Sequence, residues 1–200
     1  MRALAALRDH DHRLTRRIAA WDSPWARRLL PPVEDAAEHT KLWWAAAVAM
    51  AAVGGPRGRR AAATGIAAMA LAELLSDQVA KKLVERRRPP KEWIPHDGVE
   101  DRPDSSSFPS GHTAAALAFA VGVAPAWPAA GAACAVPALM VAVGRVHSGA
   151  HYPSDVAAGA AIGLASVGLV RSVLGLLSRR LPYGSGLSGG CRRRCGVVAP

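Results

Sequence analysis

The sequence predicts an all-α fold: a polytopic membrane helix bundle of about five transmembrane helices, preceded by an amphipathic N-terminal helix. Half of the 200 residues are hydrophobic but only 5% are aromatic, and most apolar residues fall in five long blocks. These blocks are rich in Ala and Gly, which allow helices to approach closely inside a membrane. A soluble all-α protein would have too little polar surface to cover so many apolar blocks.

Residues 1–40 form the predicted amphipathic segment. Arginines fall largely between apolar residues that recur at multiples of three and four, namely Leu4, Leu7, Leu14, Ile18, Trp21, Trp25 and Leu29. The pattern suits a helix that lies on an anionic membrane surface, and equally a helix that packs on the rest of its own protein. Pro31 and Pro32 are predicted to end the segment. The first thirty residues lack the uninterrupted apolar stretch of an ordinary signal peptide.

The five apolar blocks make up most of residues 41–180, the predicted membrane domain. They run over Leu42–Gly55, Ala61–Ala80, Thr113–Ala126, Ala129–Val146 and Val156–Leu177. The second block is long enough to cross a hydrocarbon core of about 30 Å. The polar segment 90–108 is long enough to act as a lid over a site, or it is a plain connector. Residues 181–200 are rich in Gly, Ser and Arg, which predicts a disordered tail.

The charge balance points to anionic partners. The formal net charge is +10 and the isoelectric point is about 10.7, which favours acidic lipid headgroups, phosphorylated substrates or nucleic acid. Nucleic acid is supported by charge alone, and we expect no such partner.

The three cysteines, Cys134, Cys191 and Cys195, are too few for a disulfide framework. The C-x3-C spacing in the tail is weak evidence for a metal.

Polar residues cluster in three groups, and each group lies at the end of an apolar block. Lys81 and Arg88-Pro89 follow the second block, and Pro109-Ser110-Gly111-His112 precedes the third. The third group joins the fourth block to the fifth and holds Arg145, His147, His151 and Asp155. If successive blocks alternate in direction, all three groups come to the same face of the membrane.

This combination of side chains suits a phosphate ester. Three fixed cations can hold the oxygens of a transferring phosphoryl group, and unpaired N–H groups at a helix start near Ser110 favour an anion. His112 can protonate a leaving oxygen, and His151 can attack phosphorus. Asp155, about one helical turn later, can hold the His151 ring in the attacking tautomer. The sequence has no carboxylate cluster with metal-ligand spacing, so we expect the reaction to need no metal and no other cofactor.

The three groups resemble the type 2 phosphatidic acid phosphatase (PAP2) superfamily, in its bacterial membrane lipid phosphatase branch. The family pattern is K-x6-R-P, then P-S-G-H, then S-R-x5-H-x3-D. The first part is similar to Lys81 through Pro89, the second to Pro109 through His112, and the third to Arg145 through Asp155. One position departs, because Gly144 stands where the family usually has Ser.

The resemblance implies a role for each matched residue. It assigns phosphate binding to Lys81, Arg88, Ser110, Gly111 and Arg145. His151 would form a phosphohistidine, His112 would act as general acid and then as base for water, and Asp155 would orient His151. Outside the matched pattern, His147 is a possible accessory residue, and Arg86 and Arg87, the neighbours of Arg88, would help to bind an anionic lipid. A bell-shaped pH dependence follows, since one histidine must be neutral and the other protonated.

Together these features predict a metal-independent, multi-pass phosphatase of the cell membrane. Its expected substrates are lipid phosphates: polyprenyl phosphate or pyrophosphate, phosphatidic acid, phosphatidylglycerophosphate or a polyprenyl-phosphosugar phosphate. Two alternatives stay open, a lipid phosphotransferase and a non-catalytic membrane protein that binds anionic lipid. Positive residues are split between the two faces, so their distribution does not orient the site. Oligomeric state has no sequence signal here.

Overall fold

The computed structural model describes residues 2–95 and 105–180, and these residues contain helices and no β-strand. The α-helices are α1 (Arg2–Ala19), α2 (Pro24–Ala37), α3 (Lys41–Val53), α4 (Gly55–Glu73), α5 (Lys81–Leu83), α6 (Gly111–Val123), α7 (Pro128–His147) and α8 (Pro153–Arg180). A π-helical stretch, Leu74–Ala80, joins α4 to α5, and short 3-10 turns occupy Glu38–Thr40 and Lys91–Trp93. The predicted all-helical fold is confirmed for the described residues, and each of the five predicted apolar blocks falls mainly in α3, α4 with its π extension, α6, α7 or α8.

The N-terminal segment forms two helices, so the prediction that Pro31 and Pro32 end it was wrong. The chain breaks earlier, after Ala19, and Ser23 starts α2 by accepting a hydrogen bond from the Ala26 amide at 3.2 Å. Pro24 follows at the first helical position, where its missing N–H costs nothing. Pro31 and Pro32 lie inside α2 on an exposed surface, where the carbonyls that lose their helical partners stay accessible to solvent.

Helix α1 buries a polar face and leaves apolar side chains outside. Asp11, Thr15 and Ala19 follow one another at intervals of four and are at most 2% exposed, because this face packs against α7 and α8. In contrast, Leu7 on α1 and Trp21 just beyond its end remain 53% and 41% exposed. Packing of α1 on its own protein is therefore observed, and the exposed apolar side chains remain available for lipid.

Helix α6 is the centre of the bundle, with α4, α7 and α8 around it. Small residues make this packing close: a Cβ on Gly163 would lie 2.6 Å from the Ala114 carbonyl oxygen, and one on Gly65 would lie 2.9 Å from Val123. Any larger side chain at these positions would push the helices apart. The Ala- and Gly-rich composition thus lets the helices of the bundle meet almost backbone to backbone.

Among the residues that the structure describes, two helices, Pro128–His147 and Pro153–Arg179, are long and apolar enough to cross a membrane, and Gly111–Val123 is apolar but shorter. Exposed leucines and valines cover the outside of α8, among them Leu164, Leu169, Val173 and Leu174. A surface of this kind is costly in water and favourable in hydrocarbon.

The helices α4, α6, α7 and α8 alternate in direction, which gives the bundle two distinct ends. At one end the Ser110 amide donates to the Asp155 carbonyl at 3.0 Å, joining the starts of α6 and α8. At the other end the Thr64 hydroxyl donates to the Gly122 carbonyl at 2.9 Å, joining the start of α4 to the end of α6. We call these the site end and the far end. The three polar groups of the sequence lie at the site end.

Candidate active site

Backbone carbonyls hold His151 and Arg88 at the site end. The His151 ring donates from Nδ1 to the Ser107 carbonyl at 2.6 Å, and Arg88 donates from Nη1 to the Ala150 carbonyl at 2.7 Å. Since a carbonyl can only accept, the proton of a neutral His151 ring is on Nδ1 and the lone pair is on Nε2. The ring is 3% exposed, so these contacts leave it one orientation.

Burial, together with the nearby positive charges of Arg145 and Arg88, holds the pKa of His151 well below its usual range. Both effects disfavour the imidazolium. A neutral ring with a fixed Nδ1–H presents Nε2 as a nucleophile or a base.

We expect His151 to remain neutral throughout the pH range in which an ordinary histidine titrates. Because its pKa lies below that of the unfolded chain, protonating it requires pH well under about 6.5, and doing so destabilises the fold. The measurement is NMR of ring-labelled histidine in detergent, with His151→Gln to assign the signal. A His151 resonance that titrates between about pH 6 and 7.5 would contradict this.

The start of α6 places Ser110, Gly111 and His112 beside the cations. Ser110 is fully buried, and its hydroxyl lies 2.9 Å from that of Thr113. Arg145 and Lys81 both lie close enough to His112 to act on its charge, and Arg145 and His112 also act on His151. The structure therefore brings the residues of all three sequence groups together.

Asp77 accompanies Lys81 at this point. Lys81 Nζ and an Asp77 carboxylate oxygen are 2.7 Å apart, and a Cβ on Gly111 would lie 3.1 Å from the same carboxylate. Glycine at 111 thus leaves the start of α6 open between Asp77 and the cations. Lys82, the neighbouring lysine, turns away and donates to Gln78.

Asp155 is not the hydrogen-bond partner of the His151 ring, which differs from the role that the family resemblance implied. Asp155 accepts the Tyr152 amide at 2.9 Å and Arg86 Nη1 at 2.5 Å. The first contact is a helix cap, since the third residue of α8 reaches back to the residue that precedes the helix. The second supplies the cation that a fully buried carboxylate needs. Ser107 is the group that orients His151.

Arg86 belongs to the site through an ion network that the sequence reasoning did not foresee. Its guanidinium bonds Asp155, Asp11 Oδ2 at 2.7 Å and Ser154 Oγ at 2.7 Å, and it lies 4.1 Å from the centre of the Tyr152 ring. Burial raises the pKa of Asp11, but hydrogen bonds from Arg86 and Ser154 outweigh it and lower that pKa overall. In the described structure, the arginine predicted to aid lipid binding is the cation that joins α1 to α8.

Glu34 is a site residue that the sequence reasoning missed. Its Oε1 lies 3.5 Å from Arg145 Nη1, and burial raises its pKa. A Cβ on Gly144 would lie 2.9 Å from the Glu34 carboxyl carbon. The carboxyl group thus occupies the space of a side chain at 144, which explains the departure from the usual Ser. Arg145 Nε is buried without a hydrogen-bond partner in the described part of the chain, so an anion there would satisfy it.

Gly144→Ser should therefore destabilise the protein and displace Glu34 from Arg145. Forcing atoms into this packed space costs about 1–3 kcal/mol, measurable as a lower unfolding temperature in detergent. Gly168→Ser is the matched control, because it lies on α8 with no atom within 4 Å of its Cβ position. Adding Glu34→Ala to Gly144→Ser should restore stability. Equal stability of Gly144→Ser and Gly168→Ser would contradict the steric account.

Segments next to the site are held by α1 and by the turn that follows it. His147, the possible accessory residue, donates from Nε2 to the Trp21 carbonyl at 3.2 Å. Trp93 packs against His12, with ring centres 5.0 Å apart, and under Arg16 at 4.3 Å. The rest of the predicted lid, residues 96–104, lies outside the described residues, as do the tail from 181 onward and its two cysteines.

An all-helical bundle with three cations and two histidines at one end defines a class of membrane phosphate-ester hydrolase. The chain belongs to the PAP2 superfamily, whose family model matches residues 61–178. It is accordingly a phosphatase, and its family is the one that the sequence motifs predicted.

Two comparisons specify the relationship further. The chain is 35% identical over 147 residues to decaprenylphosphoryl-5-phosphoribose phosphatase of Mycobacterium tuberculosis, in strains CDC 1551 / Oshkosh and ATCC 25618 / H37Rv. The match covers 69% of this chain and 75% of that protein. In fold it is similar to a transmembrane PAP2-type phosphatidylglycerolphosphate phosphatase of Bacillus subtilis, with a TM-score of 0.63, 20% identity and 89% of each chain covered.

Proposed function

We propose that this protein is an integral membrane phosphatase that hydrolyses lipid-linked phosphate esters through a phosphohistidine at His151. The observation that carries the proposal is the state of the His151 ring. The Ser107 carbonyl fixes it through Nδ1, it is buried, and the nearby charges of Arg88 and Arg145 lower its pKa. The free Nε2 is therefore a nucleophile beside a site for an anion.

In the first chemical step, Nε2 of His151 attacks phosphorus and the ester P–O bond breaks. His112 gives its proton to the leaving oxygen, which departs as the lipid alcohol. The developing charge on the phosphoryl oxygens is held by a set of donors, Lys81, Arg88, Arg145, Ser110 and the Gly111 amide. The Ser107 carbonyl stabilises the positive charge that the ring acquires, because it accepts the Nδ1 proton.

In the second step, water attacks the phosphohistidine and the P–N bond breaks. His112, now neutral, takes the proton from that water and so returns to its starting state. Inorganic phosphate leaves, and His151 is again a neutral ring with its proton on Nδ1. Asp155 and Arg86 fix the start of α8 and thereby the loop that carries His151.

We propose five crossings, by α3, α4, α6, α7 and α8, in the cell membrane. The apolar outer surface of α8 and the lengths of α7 and α8 support this arrangement. Helices α1 and α2 would lie at the membrane surface beside the site end, where Leu7, Trp25 and Leu29 stay exposed to lipid. A site at the membrane surface favours a substrate whose tail remains in the bilayer.

A polyprenyl-phosphosugar phosphate is our first candidate substrate, because the 35% identical relative is named for such a compound. Phosphatidylglycerophosphate is the second, and it is supported only by the name of a protein that shares the fold. Polyprenyl phosphates, polyprenyl pyrophosphates and phosphatidic acid complete the panel to be tested.

The test is phosphate release from this panel by the detergent-purified protein in EDTA. Release from a polyprenyl-phosphosugar phosphate ahead of phosphatidylglycerophosphate is the expected result, unaffected by the chelator. An added alcohol acceptor tests the phosphotransferase alternative, which predicts a phosphorylated alcohol in place of inorganic phosphate. Absence of release from every compound, by folded protein, would favour a non-catalytic binder of anionic lipid.

A further inference from the structure

A cavity of about 410 Å³ lies at the far end of the bundle, away from the candidate active site. Its walls come from the start of α4, the end of α6 and the turn after it, and one residue of α8. The lining residues are Pro56, Arg57, Arg60, Thr64, Gly122, Pro125, Ala126 and Arg171.

The position of Arg171 along α8 shows how far the cavity lies from the site end. Arg171 follows Asp155 of the site end by sixteen positions on the same helix, which is about 24 Å at the rise of an α-helix. That distance approaches the hydrocarbon thickness of a bilayer, about 30 Å. If the site end lies at one membrane surface, the cavity opens near the other.

Three arginines line the cavity without an acidic partner. Among the residues that the structure describes, Arg57, Arg60 and Arg171 form no ion pair with a carboxylate. Arg171 is also the single charge within the fifth apolar block. Three like charges around one cavity at a membrane boundary repel one another, and an anion between them would remove that repulsion.

The cavity wall is already ordered in the described structure. Arg57 donates from Nε to the Ala126 carbonyl at 2.9 Å and lies 5.7 Å from the centre of the Trp127 ring. Its two Nη groups make none of the hydrogen bonds observed for the described residues. The hydrogen bond from Thr64 to Gly122 joins the α4 and α6 walls. An arginine fixed in this way matches two oxygens of a phosphate with little loss of side-chain freedom.

We propose that the far-end cavity binds the phosphate of an anionic phospholipid headgroup from the leaflet opposite the active site. The arginines supply the paired donors that a phosphate requires, and Pro56, Pro125 and Ala126 supply an apolar wall for the glycerol backbone. Basic pockets between transmembrane helices are a known kind of site for acidic headgroups. The depth of the cavity favours a lipid over free phosphate, which offers the same chemistry.

The test compares the full-length protein with Arg60→Gln/Arg171→Gln in nanodiscs of phosphatidylglycerol or phosphatidylcholine. Arg59→Gln is the matched control, since Arg59 is an exposed arginine in the same turn of α4 that does not line the cavity. Native mass spectrometry counts retained phosphatidylglycerol, and thermal unfolding reports its stabilising effect. We expect each cavity arginine to contribute about fivefold in affinity, with hydrolysis at the site end unchanged.

The expected pattern is a higher unfolding temperature in phosphatidylglycerol for the wild type and Arg59→Gln, and no such rise for the double variant. Equal retention of phosphatidylglycerol by all three proteins would overturn the proposal, as would equal losses in Arg59→Gln and the double variant. A third arm adds millimolar inorganic phosphate in phosphatidylcholine. Stabilisation there that requires Arg60 and Arg171, without any phosphatidylglycerol dependence, would assign the cavity to a soluble anion and overturn the lipid as its ligand.

Discussion

His151→Ala should abolish phosphate release, with a fall in turnover of about four orders of magnitude or more. Removal of a covalent nucleophile produces losses of that size when the remaining groups cannot replace it. A water molecule in the space left by the ring would not replace the nucleophile. The Ser107 carbonyl accepts a hydrogen bond but is too weak a base to activate that water. The measurement is release of inorganic phosphate from the best lipid substrate, by purified protein in EDTA.

His10→Ala is the control, because His10 is exposed on α1 and has no place in the proposed chemistry. It should keep wild-type turnover. Elution and thermal unfolding show whether His151→Ala is folded, and His151→Gln, which leaves a smaller cavity at this buried position, should lose phosphate release in the same way. Residual release above about one part in a thousand, from folded His151→Ala free of contaminating phosphatase, would contradict the assignment of the nucleophile.

Arg86→Ala should be the most destabilising single replacement of a charged residue at the site end. Arg86 is the shared partner of Asp11 and Asp155, whose side chains are 3% and 0% exposed. Removing the cation leaves two buried carboxylates close together, a change that costs about 3–5 kcal/mol. We expect a large drop in the unfolding temperature, and loss of activity because the start of α8 and the His151 loop lose their anchor.

Arg87→Ala is the matched control, since Arg87 is the next residue and its side chain is exposed. It should unfold close to the wild type. Asp11→Asn added to Arg86→Ala should recover part of the lost stability, because it removes one of the two unpaired charges. If Arg86→Ala unfolds at the wild-type temperature, the ion network contributes nothing and the account of Arg86 fails.

The helical fold and the convergence of the three polar groups could be predicted from local patterns. Apolar blocks of helical length and small residues predict a close-packed bundle. Alternating direction then places Lys81, His112, Arg145 and His151 at one end. Each of these inferences uses residues within a block or at its ends, so sequence spacing is sufficient to make them.

The contacts of Arg86 and Glu34 could not be predicted, because they depend on how distant segments dock. Asp11 and Arg86 are separated by 75 positions, and no spacing rule relates them. Gly144 offered a partial signal, since a missing side chain in a motif suggests that another group fills its space. The identity of that group, Glu34, follows from the packing of α2 against α7, which sequence spacing does not specify.

The prediction about Pro31 and Pro32 failed for a local reason. Proline inside a helix leaves a carbonyl without its donor and brings its ring against the carbonyl four residues earlier. On the exposed surface of α2, water can bond the freed carbonyls, and the helix continues through both prolines to Ala37. The helix break lies instead between Ala19 and Pro24, and the pair Ser23-Pro24 suits the start of the next helix.

The central claim, a phosphohistidine at His151, is tested most directly by trapping the phosphoenzyme. The protein is mixed with substrate labelled with 32P at the terminal phosphate, in EDTA, and quenched by alkaline denaturant within milliseconds. We predict label on the wild-type protein that is stable to base, labile to acid and located by peptide mapping at His151, and none on His151→Gln. Label on another residue, or wild-type turnover with no labelled protein at any quench time, would contradict the account.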